Sequence, residues 1–439
     1  MATPTLPIKL SLTGTGSIDL ASLVTALTPY FVPRPVIPVV QPPLPPVAGS
    51  ITIKRSGPIL IDGNNVPVQL RGVNVSGLES TAVHGWAKNA DGSYNYWGDS
   101  GLGTPDFNIV KTWKANVVRI PLNAASWLGL PCIKGDGTPV AADPGAVFGY
   151  QGAVLKAVQA ATAVGLYVIL DLHWSAPKVT IGLPIVTGNL LPSGQPPFAN
   201  ADTDLLFWQQ VATAYMGYHN VIFELFNEPF LDIYGGIPAA GGPDQSMLML
   251  IGGLANRFPN ETGVGAYDIL QNWNVLGFQT MTNAIRIVGA TNLILVSCPN
   301  YAKKLSTWVL SKVIDPLDNI GAVWHLYPAY NTMFGSAAYN VPDWSPNAYP
   351  WAESVVAAGY PVVVTETGGH NTVGTPNEPF VTNALAWVDK MNLTHPGSVG
   401  VLGWGWNVWN NADNVLIKDI IGTPTDGYGK VYHDWIVSK

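Results

Sequence analysis

Short apolar runs alternate along this chain with stretches in which apolar residues recur at helical spacing. The plainest run is Val221-Ile222-Phe223-Glu224-Leu225-Phe226, followed by Asn227-Glu228-Pro229. Five apolar positions in six, closed by an Asn-Glu-Pro turn, read as a strand buried on both faces whose C-terminal end opens to a cleft. Comparable strands are expected at 70–74, 116–122, 167–172, 220–226, 292–298, 322–327, 361–366 and 399–406. Between them, helical periodicity is clearest at 151–164, 202–216, 276–288, 350–358 and 379–391. Eight strands in strict alternation with helices predict a (β/α)8 TIM barrel over an open doubly wound sheet. Ahead of it, Ile59-Leu60-Ile61, Asp62-Gly63-Asn64-Asn65 and Val66-Pro67-Val68-Gln69-Leu70 read as an N-terminal β-hairpin.

In such a barrel, polar residues at the C-terminal ends of strands meet at one mouth. Here they are Asn74, Arg119, His173 with Trp174, Asn227 with Glu228, His325 with Tyr327, Glu366, and Trp404 with Trp406. Two carboxyl groups facing each other across a cleft are what glycoside cleavage requires: one protonates the departing oxygen while the other attacks or stabilises the anomeric centre. Arg119 and Tyr327 are placed to support Glu366, and His325 and Asn227 to attend Glu228. Indole faces suit the apolar C–H faces of sugar rings, so Trp406 and Trp174 are expected to form a floor. Any one of these residues alone reads as a packed, hydrogen-bonded barrel residue, and the tripeptide alone as a turn. Deeper on their strands, Arg71, Asp171 and Glu224 are expected to pair with one another.

Composition narrows the ligand. Only 11% of the residues are charged and the net charge is -7, with no cluster of Lys or Arg, which disfavours nucleic acid and fits a neutral polymer. At 439 residues, one large domain with an appendage is expected: a segment 1–31 without a readable role, a Pro-rich linker at 32–50, and a catalytic domain at 51–439. Cys132 and Cys298 are too few for a disulfide framework and read as separate thiols. No apolar run is long enough to span a membrane, and no signal peptide is visible.

Leu70-Arg71-Gly72-Val73-Asn74, Val118-Arg119-Ile120-Pro121, Asp171-Leu172-His173, Asn227-Glu228-Pro229, His325-Leu326-Tyr327, Thr365-Glu366 and Gly403-Trp404-Gly405-Trp406-Asn407 resemble, in order and spacing, the family 5 glycoside hydrolases, the large family that contains cellulases. The resemblance covers about residues 51–439. It implies a retaining mechanism with Glu228 as acid/base and Glu366 as nucleophile, supported by Arg119 and Tyr327. Asn227 would then bind the hydroxyl beside the reacting carbon, and His173, His325 and Trp406 would complete the subsite. Relatives usually carry an aromatic residue after the nucleophile, where this chain has Thr367.

The resulting expectation is a monomeric, secreted endo-β-1,4-glucanase acting on polysaccharide or oligosaccharide, with no metal, organic cofactor, nucleic acid or membrane involved. Mannan, xylan, mixed-linkage and β-1,3-glucan are the alternative substrates, because the motifs are shared. A metal-dependent hydrolase ranks lower, since 72–76 carries no histidine pair. A non-catalytic carbohydrate-binding barrel is disfavoured by the presence of both glutamates.

Overall fold

Each of the eight apolar runs forms a strand, and every strand pairs in parallel with its neighbours until the last meets the first. In the computed structural model they are β1 (Arg71–Asn74), β2 (Val117–Asn123), β3 (Tyr167–Trp174), β4 (Val221–Glu224), β5 (Ile294–Val296), β6 (Ile320–Leu326), β7 (Val362–Thr367) and β8 (Val399–Gly403). They close in sequence order, with β8 against β1, so the fold is a (β/α)8 barrel. The structure describes residues 51–98, 103–133, 139–140, 149–175, 198–229, 245–255, 273–328, 349–369, 378–409 and 415–439. The expected 1–31 segment and the linker at 32–50 lie outside the described residues, as do most of the chain between β3 and Phe198 and half of that between Pro229 and β5.

The helices include α1 (Phe107–Thr112), α2 (Gly149–Ala163), α3 (Asp204–Tyr215), α4 (Phe278–Ile287), α5 (Tyr349–Ala357), α6 (Glu378–Thr394) and α7 (Tyr428–Val437), and α2 to α6 form where the apolar spacing predicts them. On α6 the buried residues Val381, Ala384, Leu385 and Val388 repeat at three and four, one stripe of a helix. The short α1, capped by the Asp106 carboxylate on the Asn108 amide, and the C-terminal α7 were not among the expected helices.

Strand alternation sorts the barrel into layers. Leu70, Val117, Ile169, Ile222, Leu295, Val323 and Val363 form one buried apolar cluster inside it, joined by Ile53 and Leu60 of the hairpin. Two residues further along the same strands stand Gly72, Arg119, Asp171, Glu224, Ser297, His325 and Thr365. An apolar plug therefore underlies a layer of polar and charged groups. Gly72 belongs to this layer because nothing larger fits: a Cβ there would lie 1.8 Å from the Val117 carbonyl oxygen.

Side chains latch the strands at both ends. Asn116, Asn220, Asn292 and Asn319, each just before a strand, donate their amides to neighbouring backbone carbonyls. At the other end, Trp208 and Trp308 cap the Leu225 and Val296 carbonyls with their indole N–H groups. The hairpin differs from expectation in its arms. Ile53–Ser56 pairs with Ile59–Asp62, while the expected second arm contributes a single bridge from Pro67 to Ile61 and a bond from the Val68 amide to the Leu60 carbonyl. The Asp62 carboxylate accepts the Asn64 and Val66 amides, so the Asp-Gly-Asn-Asn segment still turns.

The seam is closed by α7. Its Tyr432 hydroxyl donates to the Gly72 carbonyl of β1 at 2.6 Å, with the Val401 carbonyl of β8 at 3.1 Å, and Tyr428 donates to Thr367 of β7 at 2.7 Å. Tyr432→Phe is expected to cost about 1–2 kcal/mol of unfolding free energy, because buried carbonyls lose a donor while the ring still packs. Urea denaturation of both proteins checks this; an unchanged midpoint would show that the seam does not depend on the hydroxyl.

Candidate active site

The charged layer centres on Arg119, which is fully buried. Its Nε and Nη2 grip Glu224 with two bonds of 2.8 Å, and Nη2 also meets Asp171 at 2.8 Å and Asn227 Oδ1 at 2.9 Å. Nη1 donates to Asn74 Oδ1 at 3.0 Å and to Glu366 Oε1 at 2.6 Å. Burial works against its charge, but Asp171, Glu224 and Glu366 outweigh that and hold the guanidinium charged. Three carboxyl groups share one cation, and burial pushes Asp171 and Glu224 up to about 8 against the pull of Arg119. The expected pairing of Arg71 with Asp171 and Glu224 is corrected here. Arg71 lies three residues before the inward-facing Asn74, so it points to the opposite face and donates to Gln69 instead.

Glu366 reaches the mouth through an irregularity in β7. Thr365 already faces inward, bonding His325 and Glu224, so alternation would turn Glu366 outward. The register of β7 shifts against both β6 and β8 here, and this bulge brings the next residue to the cleft as well. Its Oε1 takes the Arg119 bond and its Oε2 accepts from the Tyr327 hydroxyl at 2.9 Å. Burial, then Glu366 and Glu228, push the Tyr327 phenol up, so it stays a donor.

Opposite, Glu228 stands just beyond β4 and is the more open of the pair, with its side chain 17% exposed against 6% for Glu366. His325 Nδ1 lies 2.8 Å from Glu228 Oε1, and its Nε2 lies 3.1 Å from the Thr365 hydroxyl. Burial holds this imidazole down to about 3, with Arg119 and Lys303 adding to the effect against Glu366, so it is neutral at any ordinary pH. His173 is also depressed, chiefly by burial and then by Arg119. Its tautomer follows from its neighbours: Asn227 turns its oxygen to Arg119 and so offers its amide to His173 Nε2 at 3.3 Å, leaving Nδ1–H to donate to Asp171 at 2.7 Å.

The aromatic floor is arranged differently from expectation. Trp406 is only 3% exposed, its ring packed edge-on against Trp113 at 4.8 Å, so it belongs to the wall and not to the sugar floor. Trp404, two residues earlier and half-buried, stacks flat against His173 at 5.5 Å. Trp174 sits half-buried at the rim, its ring 6.3 Å from His173. Glu79, beside the mouth, is also buried; it accepts the Gly77 amide at 2.7 Å and the Ser76 hydroxyl. Both cysteines are buried, and they are not joined to each other.

Among the described residues, Glu228, His325 and Glu366 form the group whose ligating atoms approach metal-site spacing, all within 4.8 Å of one another. The donors do not fit a cation. Each is already engaged, and Glu366 faces a guanidinium at 2.6 Å that an ion would have to displace. What the arrangement offers is two carboxyl groups across a gap, one fixed at both oxygens and the other reachable from outside. No helix among the described residues is long and apolar enough to cross a membrane.

Comparison with known proteins bears on this geometry. Residues 61–412 match the family model of Cellulase (glycosyl hydrolase family 5). An endoglucanase of Microbulbifer sp. (strain ALW1) is 26% identical over 184 residues, 42% of this chain and 27% of that protein. A mannan endo-1,4-beta-mannosidase of Streptomyces lividans is 27% identical over 137 residues, 31% of each. The matches thus span less than a third of either relative's length. Among solved structures, a beta-glucanase of Saccharophagus degradans in complex with cellotetraose superposes with a TM-score of 0.54 at 18% identity, covering 89% of this chain and 94% of that one. That likeness establishes the shared barrel, and the family match, which runs from the hairpin to beyond β8 through every residue of the charged layer, shows that the chain belongs to glycosyl hydrolase family 5.

Proposed function

We propose that this protein is a retaining, endo-acting β-glycanase that cuts β-1,4-glucan. The observation that carries the reading is the gap between the two glutamates. Their nearest oxygens lie within 4.8 Å, which suits the roughly 5–5.5 Å carboxyl separation of retaining enzymes and not the roughly 6.5–9.5 Å that admits an inverting water. In this reading Glu366 attacks the anomeric carbon while Glu228 gives its proton to the departing oxygen. A water, deprotonated by Glu228, then releases the sugar from Glu366. Arg119 and Tyr327 aim the nucleophile by holding both its oxygens.

Neutral His325 serves both half-reactions. It accepts from Glu228 when that group is protonated and, in its other tautomer, donates when Glu228 is ionised. Asn227, locked between Arg119 and His173, is positioned to bind the sugar hydroxyl next to the reacting carbon, and Trp404 and Trp174 to stack on the ring. The endoglucanase relative and the cellotetraose-bound neighbour support glucan as the backbone, while the mannosidase relative favours mannan as the second reading. A polymeric substrate further suggests that the protein works outside the cell.

Reducing ends should be released from carboxymethyl cellulose or mixed-linkage glucan more readily than from galactomannan, xylan or laminarin. The first product should carry the β-anomeric configuration by proton NMR, and an α-anomer would defeat the retaining reading. Glu366→Ala should abolish turnover. Glu228→Ala should lose about 10²–10⁴-fold on polysaccharide yet recover on an aryl glycoside with a good leaving group when azide is added. Inactivity of the folded protein on the whole panel would sink the proposal.

A pH prediction follows from His325. Its folded value, about 3, lies below the ordinary 6.5, so the unfolded chain takes up a proton that the folded one refuses. Stability is then complete above about pH 6.5 and falls as pH drops toward 3, by up to about 1.4 kcal/mol per pH unit. Asp171 and Glu224, raised to about 8, act in the other direction and cost stability as pH rises from about 4 to 8. His325→Asn should flatten the acid side of the profile, measured by urea denaturation at successive pH values; an unaltered slope would exclude this imidazole as its source.

A further inference from the structure

One buried cation is unused by this chemistry. Lys303 follows β5, directly after the short helical turn Pro299–Ala302, and is 7% exposed. The turn is clamped between the two segments that carry the acid/base and its histidine. The Tyr301 amide donates to the Pro229 carbonyl, one residue after Glu228, at 2.9 Å. The Lys303 carbonyl accepts the indole of Trp324, one residue before His325, at 2.9 Å. Tyr301 and Ala302 both adopt left-handed backbone, φ 57° and 55°, a conformation unfavourable for side-chain-bearing residues and tolerated where the surroundings impose it. Lys303 closes this strained turn with its side chain buried, and lysines are rarely buried unless their charge is compensated.

We propose that Lys303 is a positioning residue for the reaction, its buried ammonium setting the electrostatic balance of the Glu228–Glu366 pair. The inference rests on the acid/base assignment above. The ammonium lies 5.3 Å from the centre of the Tyr301 ring, on its own turn. Among the described residues, the groups that share its field are Glu228 beyond β4, Glu366 on β7 and His325 on β6. Burial brings Lys303 down to about 8, opposed by Glu228 and then Glu366. It is charged at neutral pH and gives up that charge on the alkaline side. A nearby cation favours the ionised form of a carboxyl group, so it draws the whole pH–activity profile toward acid and assists Glu228 as the base of the second half-reaction.

The experiment is the pH dependence of kcat/KM on a soluble glucan for the full chain and its variants. Lys303→Met and Lys303→Gln should move both limbs to higher pH by about half a unit or more, the effect of one unit charge at short range. Lys303→Arg should restore the acid limb and bring the alkaline limb below that of the parent protein, because a guanidinium keeps its charge where the ammonium loses it. Limbs that coincide with the parent's in the neutral variants would overturn the proposal, as would a displacement in Lys303→Arg equal to that in Lys303→Met, which would mean that packing alone matters. Should neither neutral variant fold, Lys303→Arg decides: an alkaline limb that falls at lower pH than the parent's supports the role, and an identical limb refutes it. Azide rescue of Glu228→Ala, run in parallel, separates the two readings. No rescue defeats the acid/base assignment itself, whereas rescue with unmoved limbs defeats only the role of Lys303.

Discussion

The site depends on one desolvated guanidinium. Arg119 brings together Asn74 from β1, Asp171 from β3, Glu224 from β4 with Asn227 just beyond it, and Glu366 from β7. Placing such a cation in the barrel without partners would cost several kcal/mol, and the carboxylates would be as unfavourable without it. Each therefore makes the other possible, and removing one partner would leave buried charge uncompensated. Lysine is no substitute, because a point charge cannot present five donors in a planar fork to acceptors on four strands. The apolar layer beneath and the seam closed by α7 hold those strands at the spacing the fork demands.

This hub also explains how a chain with only 11% charged residues supports an ionic site. The charges are few, but the layer above the apolar plug holds several of them, where low dielectric makes each interaction strong. Protons are divided unevenly there. The imidazoles of His173 and His325 are kept neutral by burial while Asp171 and Glu224 are driven toward the protonated form. Negative charge is thereby limited around the one carboxylate that Arg119 and Tyr327 both hold. The layer carries less net charge than its residue types imply.

Much of this was legible in the sequence because strands signal themselves. Asn116, Asn220 and Asn292 fell at the expected strand starts, and the structure shows why: their amides close the gap to the neighbouring strand at the same level. Glu228 and Glu366 stood out as polar residues where apolar runs end. What escaped was the direction of side chains near those ends. Arg71 was grouped with Asp171 and Glu224 by depth along the strand, although strand parity sends it the other way. Trp406 and Trp404 share a parity in an ideal strand, so no alternation rule could tell which one lines the cleft. β8 ends at Gly403, and the backbone beyond it places one ring on His173 and the other on Trp113. The long stretches after His173 and Glu228 carry no readable period, and they lie outside the described residues.

The bulge in β7 is the feature a period-two reading is least able to foresee, and it matters most. A regular strand can offer the cleft either Thr365 or Glu366; the shifted register offers both. Thr365 then bonds His325 and Glu224, while Glu366 bonds Arg119 and Tyr327. The two halves of the site are joined through this pair of adjacent residues: Glu228 to His325, His325 to Thr365, Thr365 to Glu224, and Glu224 to Arg119, which returns to Glu366. A continuous chain of hydrogen bonds therefore links Glu228 to Glu366 in addition to the gap they face across. Substitutions along that chain cannot be treated as independent, because each changes the donor or acceptor that the next one meets.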